Sequence, residues 1–205
     1  MRWYDDKFLP HLINLACATG PLRKQRDKVV PLASGDVLEI GFGSGLNLPH
    51  YDRVKVRRLW GLEPSARMWQ LAQKQITVSG IDVQRIEMPG EEIPLAANSV
   101  DTVLVTYTLC TIADVLAALE GMRRVLKTDG QLLFCEHGKA PDENVRRWQE
   151  RLNPAWKKFA GGCNMNRDIP GLINSAGFSI VDDNRMYIPG LKALNYSYWG
   201  RARPR

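Results

Sequence analysis

Twelve residues, Asp36-Val37-Leu38-Glu39-Ile40-Gly41-Phe42-Gly43-Ser44-Gly45-Leu46-Asn47, constrain this chain more than any other stretch. A short apolar run with an acid inside it ends in a G-x-G-x-G turn, which predicts a strand, a sharp turn and a helix after it. Glycines there remove Cβ atoms, so the backbone can touch a ligand, and they permit positive φ where the chain turns. Alone, such a turn is a weak signal. Glu63 strengthens it, because Arg57-Arg58-Leu59-Trp60-Gly61-Leu62-Glu63 reads as the next parallel strand with a carboxylate at its C-terminal end. From that position a carboxylate accepts hydrogen bonds from both hydroxyls of an adenosine ribose. The pair predicts a nucleoside-cofactor site; a βα turn without a ligand is the plain alternative.

The remaining periodicities extend the same architecture. Tyr4, Phe8, Leu12 and Leu15 fall on one helical face before Gly20-Pro21, and a basic segment from Arg23 to Lys28 leads to the first strand. Ser65 is a plausible N-cap for a helix running to about Ser79, with Gly80 just beyond it. Val83 to Glu87 and Val100 to Thr106 read as strands, the second apolar enough to be covered on both faces. Val115, Leu116, Leu119, Met122, Val125 and Leu126 repeat at helical spacing, closed by Lys127-Thr128-Asp129-Gly130, and Gln131 to Glu136 is the next strand. Strands alternating with helices at these lengths imply βαβ units and a parallel sheet. Asp168 to Ala176 reads as a last helix, followed by strands over Phe178 to Tyr187 and Asn195 to Arg203.

At 205 residues one domain with a substantial core is expected, and 44% hydrophobic with 24% charged is globular composition. The net charge of +6 is mild, and a solvated basic face explains most of it. Arg2, Asp5, Asp6 and Lys7 break any signal peptide, and the apolar stretch from Phe8 to Ala18 is too short to span a bilayer. Cys17, Cys110, Cys135 and Cys163 show no C-x-x-C pairing, so no disulfide framework or zinc site is expected, and a reducing cytoplasm fits best.

Two cofactors compete for the glycine turn. A nicotinamide site reads G-x-G-x-x-G, whereas the third glycine here, Gly45, comes one residue early. That pattern resembles motif I of the class I S-adenosylmethionine-dependent methyltransferases. The resemblance implies an α/β, Rossmann-like fold: a mostly parallel seven-stranded sheet with helices on both faces and an antiparallel C-terminal strand. It implies S-adenosyl-L-methionine held by Glu39, Gly41, Gly43, Gly45, Asn47, Glu63, Pro64 and Thr106, with Gly90 and Glu91 of Pro89-Gly90-Glu91-Glu92-Ile93 bracketing the adenine. A narrower resemblance rests on Thr106-Tyr107-Thr108-Leu109-Cys110, Cys135-Glu136-His137, Trp148-Gln149, Asn153-Pro154-Ala155-Trp156 and Gly161-Gly162-Cys163-Asn164. These stretches look like the alkyl-thiol methyltransferase group and its bacterial relatives labelled phospholipid N-methyltransferases. On that reading residues 1–30 form an N-terminal helix and lid, 36–136 the cofactor core, 138–170 an insertion or lid, and 171–205 a C-terminal helix and strand pair.

Methyl transfer from a sulfonium is an in-line displacement with an activated leaving group, so the protein mainly aligns two reactants and excludes water. A thiol acceptor attacks well only as thiolate, which asks for a nearby base or positive charge. His137, at the end of its strand, is the candidate base; a hydrogen-bonded loop histidine is the plain alternative. Cys110 and Cys163 are candidates to line the acceptor pocket, with Tyr4, Trp148 and Trp156 from two covering helices. Cys135 and His137 share a strand face, yet two ligands make no metal site. Arg167 is a candidate partner for an acidic acceptor, or for a surface ion pair, and Asp101 reads as structural. Trp148, Leu152, Trp156 and Phe159 form one helical stripe opposite Arg146, Arg147, Arg151, Lys157 and Lys158, read as core packing, a lid or an interfacial membrane contact. Thr106-Tyr107-Thr108-Leu109 stands where enzymes of this fold that methylate exocyclic amines of nucleic acids carry a polar-Pro-Pro-aromatic motif, so a nucleic-acid partner is not expected and a small-molecule acceptor is.

Overall fold

The computed structural model describes residues 9–205. Seven strands form one sheet: β1 Gly35–Ile40, β2 Val56–Leu62, β3 Val83–Ile86, β4 Val100–Thr106, β5 Leu126–His137, β6 Phe178–Tyr187 and β7 Tyr196–Pro204. Their spatial order is β3-β2-β1-β4-β5-β7-β6. β1 to β5 pair in parallel, and β7 inserts antiparallel between β5 and β6. The chain winds outward from β1 through β2 to β3, then returns to the other side of β1 as β4. That reversal leaves a crevice beyond the C-terminal ends of β1 and β4, where ligands of open α/β sheets bind.

Alternation of side chains along the strands splits the core into two layers. Leu38, Ile40, Val103, Val105, Leu132 and Phe134 face one side, where helices α4 (Val115–Val125) and α6 (Ile169–Ser175) cover them with Leu119, Met122, Ile169 and Ile173. Val37, Leu104, Leu133 and Cys135 face the other, beneath Val29, Val30 and Ala72. These come from α2 (Gly20–Val29), the 3-10 turn after it and α3 (Ala66–Ser79). Each fully buried Leu or Phe contributes about 1.5–3 kcal/mol relative to exposure. The expected caps of α3 are present: Ser65 Oγ accepts from Met68 N at 3.2 Å, and Gly80 takes the left-handed conformation with φ 65°.

Five elements depart from the sequence expectation, the first being β5, which begins at Leu126 directly after α4, where the sequence predicts a closing turn over Lys127 to Gly130. No α-helix follows the glycine turn; a single 3-10 turn, Leu48–His50, stands there, because Pro49 donates no N–H and the Asn47 side chain is used inward. Gly20-Pro21 opens α2 instead of only ending the preceding helix, α1 (Leu9–Cys17), since proline is tolerated in a first turn. On α1 the apolar stripe is rotated: Leu12 and Leu15 are exposed, while Pro10, Ile13, Asn14 and Cys17 face the crevice; Tyr4 and Phe8 lie outside the described residues. On α5 (Glu143–Phe159) the inward face is polar. Gln149 is wholly buried, its two Nε2 hydrogens shared among the carbonyls of Gly138, Met165 and Ala193 at 2.8–2.9 Å while its Oε1 accepts from Ala140 N at 2.9 Å. Asn153 Oδ1 accepts from Met165 N one turn later. Backbone satisfaction, not apolar burial, sets this helix's rotation, and Trp148, Leu152 and Phe159 are left exposed.

Candidate active site

A cavity of about 450 Å³ fills the crevice. Its floor is the turn after β1, whose glycines serve different ends. At Gly41, φ is +70° and a Cβ would stand 2.2 Å from Thr108 Oγ1, so glycine is needed for backbone packing. At Gly43, φ is +58° and a Cβ would meet Met68 Cε at 3.5 Å and Gly41 O at 3.8 Å, both ordinary contacts; its absence keeps the cavity floor open to a ligand. Gly45 also takes positive φ.

Glu39 is buried under this turn, accepting from Asn47 Nδ2 at 2.9 Å and from the Tyr51 hydroxyl at 2.6 Å. Both partners are neutral. Burial therefore pushes its carboxyl up to about 7, against the bonds from Tyr51 and Asn47. Asn47 Nδ2 also donates to Thr106 Oγ1 at 2.9 Å. Two acceptors fix the amide orientation and leave Asn47 Oδ1 buried with no partner among the described residues. An unused acceptor beside a buried carboxyl is a site for a cationic donor. Glu63 accepts from Gly43 N and Ser65 N, each at 2.8 Å, so it ties β2 to the turn while facing the cavity. Burial raises its pKa, opposed by those two N–H groups. Pro64, Gly90 and Glu91 line the same wall, Gly90 because a Cβ would press on Ile112 at 2.9 Å.

Arg26, on α2, was invisible in the sequence, where it sits in an ordinary basic run. It is buried on the cavity wall, donates to Cys17 O at 2.8 Å and lies 5.0 Å over the Tyr107 ring. Its Nε has no partner among the described residues. Tyr107 itself takes φ 52°, unusual for a bulky residue, directly after β4 at the cavity rim.

Beside this cavity the structure gathers three predicted residues. His137 Nε2 lies 3.3 Å from Cys163 Sγ, and with Cys110 Sγ the three atoms fall within 4.8 Å of one another. Hydrogen bonding from Cys110, ahead of contact with His137 and Trp156, holds the Cys163 thiol down at about 4 despite burial. The same bond, with burial, pushes Cys110 well above the usual thiol range. Burial alone would lower His137, but its contact with Cys163 raises it. Glu136, wholly buried, accepts from Thr108 N at 2.8 Å and Leu109 N at 3.1 Å and so anchors the loop that carries Cys110.

Other predicted residues stand elsewhere. Trp148 is 57% exposed and does not line the cavity; Trp156 lies beside Cys163. Of residues 138–170, Gly161 alone among the described residues reaches the cavity wall. Arg167 meets neither an acceptor space nor an acid: its guanidinium donates to Leu109 O and Ile112 O, bracing the Cys110 loop. Cys135 bonds to the Tyr107 hydroxyl, away from the Cys163 cluster. Asp101 takes Asp36 N, Lys127 and Arg57 at the opposite edge of the sheet, a structural role.

Known proteins similar to this chain in sequence and in fold are methyltransferases. Residues 38–134 match the methyltransferase domain family. Human thiol S-methyltransferase TMT1B is 31% identical over 163 residues, covering 77% of this chain and 66% of that protein. The yeast mitochondrial methyltransferase OMS1 is 24% identical over 189 residues, 82% of this chain and 39% of its own length. The chain thus spans between about two fifths and two thirds of these relatives. In fold it is similar to a Thermotoga maritima S-adenosylmethionine-dependent methyltransferase described as a possible histamine N-methyltransferase, with TM-score 0.66, 23% identity and coverage of 98% and 97%. Among the described residues no helix is long and apolar enough to cross a membrane.

Proposed function

Because the chain belongs to the class I S-adenosylmethionine-dependent methyltransferases, we propose that it methylates a small-molecule thiol. The carrying observation is the cluster of two thiols and an imidazole, Cys110, His137 and Cys163, held just behind the cavity wall that Thr111 and Gly161 form. Similarity to a thiol S-methyltransferase supports the same acceptor.

In this reading the cofactor's ammonium group sits against Glu39 and the free Asn47 oxygen, and its carboxylate against Arg26. Glu63 takes the ribose hydroxyls with the lone pairs its two backbone bonds leave free. Pro89, Gly90 and Glu91 flank the adenine. The sulfonium methyl then points toward the cysteine–histidine cluster, to which we assign acceptor activation. Alignment and exclusion of water supply the rest of the rate, since the leaving thioether needs no proton.

The test is calorimetry with S-adenosylmethionine and NAD, followed by radiolabelled methyl transfer to a panel of alkyl thiols and to phosphatidylethanolamine vesicles. Cofactor binding with thiol methylation is expected. Tight NAD binding would overturn the cofactor assignment, and methylation of lipid but not thiol would overturn the acceptor.

A further inference from the structure

Cys110, His137 and Cys163 come from three elements: the loop after β4, the end of β5 and the loop after α5. Their convergence is built, not incidental. Asn164 N and Nδ2 both donate to Cys110 O, at 2.8 and 2.9 Å, so the two cysteine loops are tied directly to each other. Glu136 and Arg167 fix the Cys110 loop from the other side. The donor set is two thiols and one imidazole, all within 4.8 Å, with the closest sulfur–nitrogen pair at 3.3 Å. A tetrahedral ion with bonds of ~2.3 Å to sulfur and ~2.0 Å to nitrogen places its ligands roughly 3.5–3.8 Å apart. Small side-chain rotations span that difference.

We propose that these three residues bind zinc, leaving a fourth coordination position open to the cavity for the acceptor thiol. Two sulfurs and an imidazole are the soft donor set that selects zinc over hard cations. Among the described residues no fourth histidine, cysteine or carboxylate joins the cluster, and three protein ligands with one open position is the arrangement of catalytic, not structural, zinc. Thr111, next to Cys110, and Gly161, two residues before Cys163, line the cavity, so the cluster lies directly behind the wall on which the acceptor would enter. The Trp156 indole lies against Cys163, and His137 Nδ1 is buried without a partner among the described residues.

The inference rests on the thiol-methylation reading for its chemistry. An acceptor thiol gives its proton to solvent as its sulfur bonds to zinc, which keeps it ionised at neutral pH. A sulfur lone pair then forms the bond to the sulfonium methyl carbon while the carbon–sulfonium bond breaks, its electron pair staying on the departing thioether. The methylated product, a neutral thioether, is a poorer ligand and leaves.

The experiment uses the full chain, reduced and loaded with zinc, then freed of excess metal by gel filtration. Metal analysis is expected to give stoichiometric zinc, lost in Cys110→Ser and Cys163→Ser and retained in Cys17→Ser. Cobalt substitution reads the site without any activity: thiolate-to-cobalt charge-transfer bands are expected, shifting when an alkyl thiol is added. Cofactor calorimetry on each variant reports whether it has folded. Wild-type protein without bound zinc and without cobalt bands, or full zinc in both cysteine variants, would overturn the site. Thiol methylation by the metal-free chain would overturn zinc while leaving the methyltransfer reading intact; zinc binding without cofactor binding would do the reverse.

Discussion

Glu39 lies beneath the cofactor turn with only neutral hydrogen-bond partners, and burial raises its carboxyl from 4.5 to about 7. A group whose folded pKa exceeds its unfolded value stabilises the fold below the unfolded pKa and loses that contribution as pH rises through the folded one. The empty protein should therefore lose about 3 kcal/mol on this account between pH 4.5 and pH 7. Glu39→Gln should flatten that loss in urea unfolding series, as the Tyr51 hydroxyl turns to accept instead of donate. Cofactor binding moves in the opposite sense. An ammonium group against Glu39 favours the ionised form, so affinity for S-adenosylmethionine should fall below about pH 7, by up to tenfold per unit. Calorimetry at pH 5.5 and pH 8 giving equal affinities would remove the ammonium from Glu39.

The β1 turn and α5 show what a sequence states about an element and what it withholds. Seven strands, the caps of α3 and the acid after β2 were legible, because local propensity and two-residue alternation act without reference to partners. The rotation of α5 was not legible. Its apolar stripe suggested the buried face, but three carbonyls and one N–H from distant loops demanded a partner, and Gln149 supplies an acceptor to the N–H and two hydrogens shared among the carbonyls. Arg26 and the Cys110–His137–Cys163 cluster were missed as groupings for the same reason: side chains far apart in sequence meet only through topology. Gln149→Leu should cost at least about 3 kcal/mol, since several buried backbone groups lose their partner; a loss under 1 kcal/mol in denaturant unfolding would show that water replaces it. Within the turn, Gly41→Ala should lower stability, by about 1–3 kcal/mol, through its positive φ and the clash with Thr108. Gly43→Ala should cost only the strain of its own positive φ, about 1 kcal/mol, without a clash, and should lose cofactor affinity because its methyl enters the cavity. Equal cofactor affinity in Gly43→Ala and the parent chain would place the cofactor away from this turn.

At the scale of the whole molecule, the reversal of strand order between β1 and β4 brings separate chain segments to one cavity. The β1 turn, the end of β2, the loop after β4 and helices α1 and α2 each contribute wall residues. A ligand bridging them stabilises the assembly as a unit, since it binds the folded state and not the unfolded chain. At a hundredfold excess over its Kd, S-adenosylmethionine should add about 2.7 kcal/mol, which for a chain of this size raises Tm by roughly 5–10 °C. The titration of Glu39 gives that shift a sign with pH. At one fixed cofactor concentration, the rise in Tm should be larger at pH 8 than at pH 6, because the ionised carboxylate is already present at the higher pH. The empty protein should show the opposite trend, melting higher at pH 6 than at pH 8 as far as Glu39 governs it, and Glu39→Gln should remove both slopes together. Differential scanning calorimetry of the parent and Glu39→Gln, with and without cofactor at both pH values, measures all of these at once. Cofactor-induced shifts that are equal at the two pH values in the parent chain would detach the cofactor from Glu39, and a comparable shift with NAD would detach the cavity from S-adenosylmethionine.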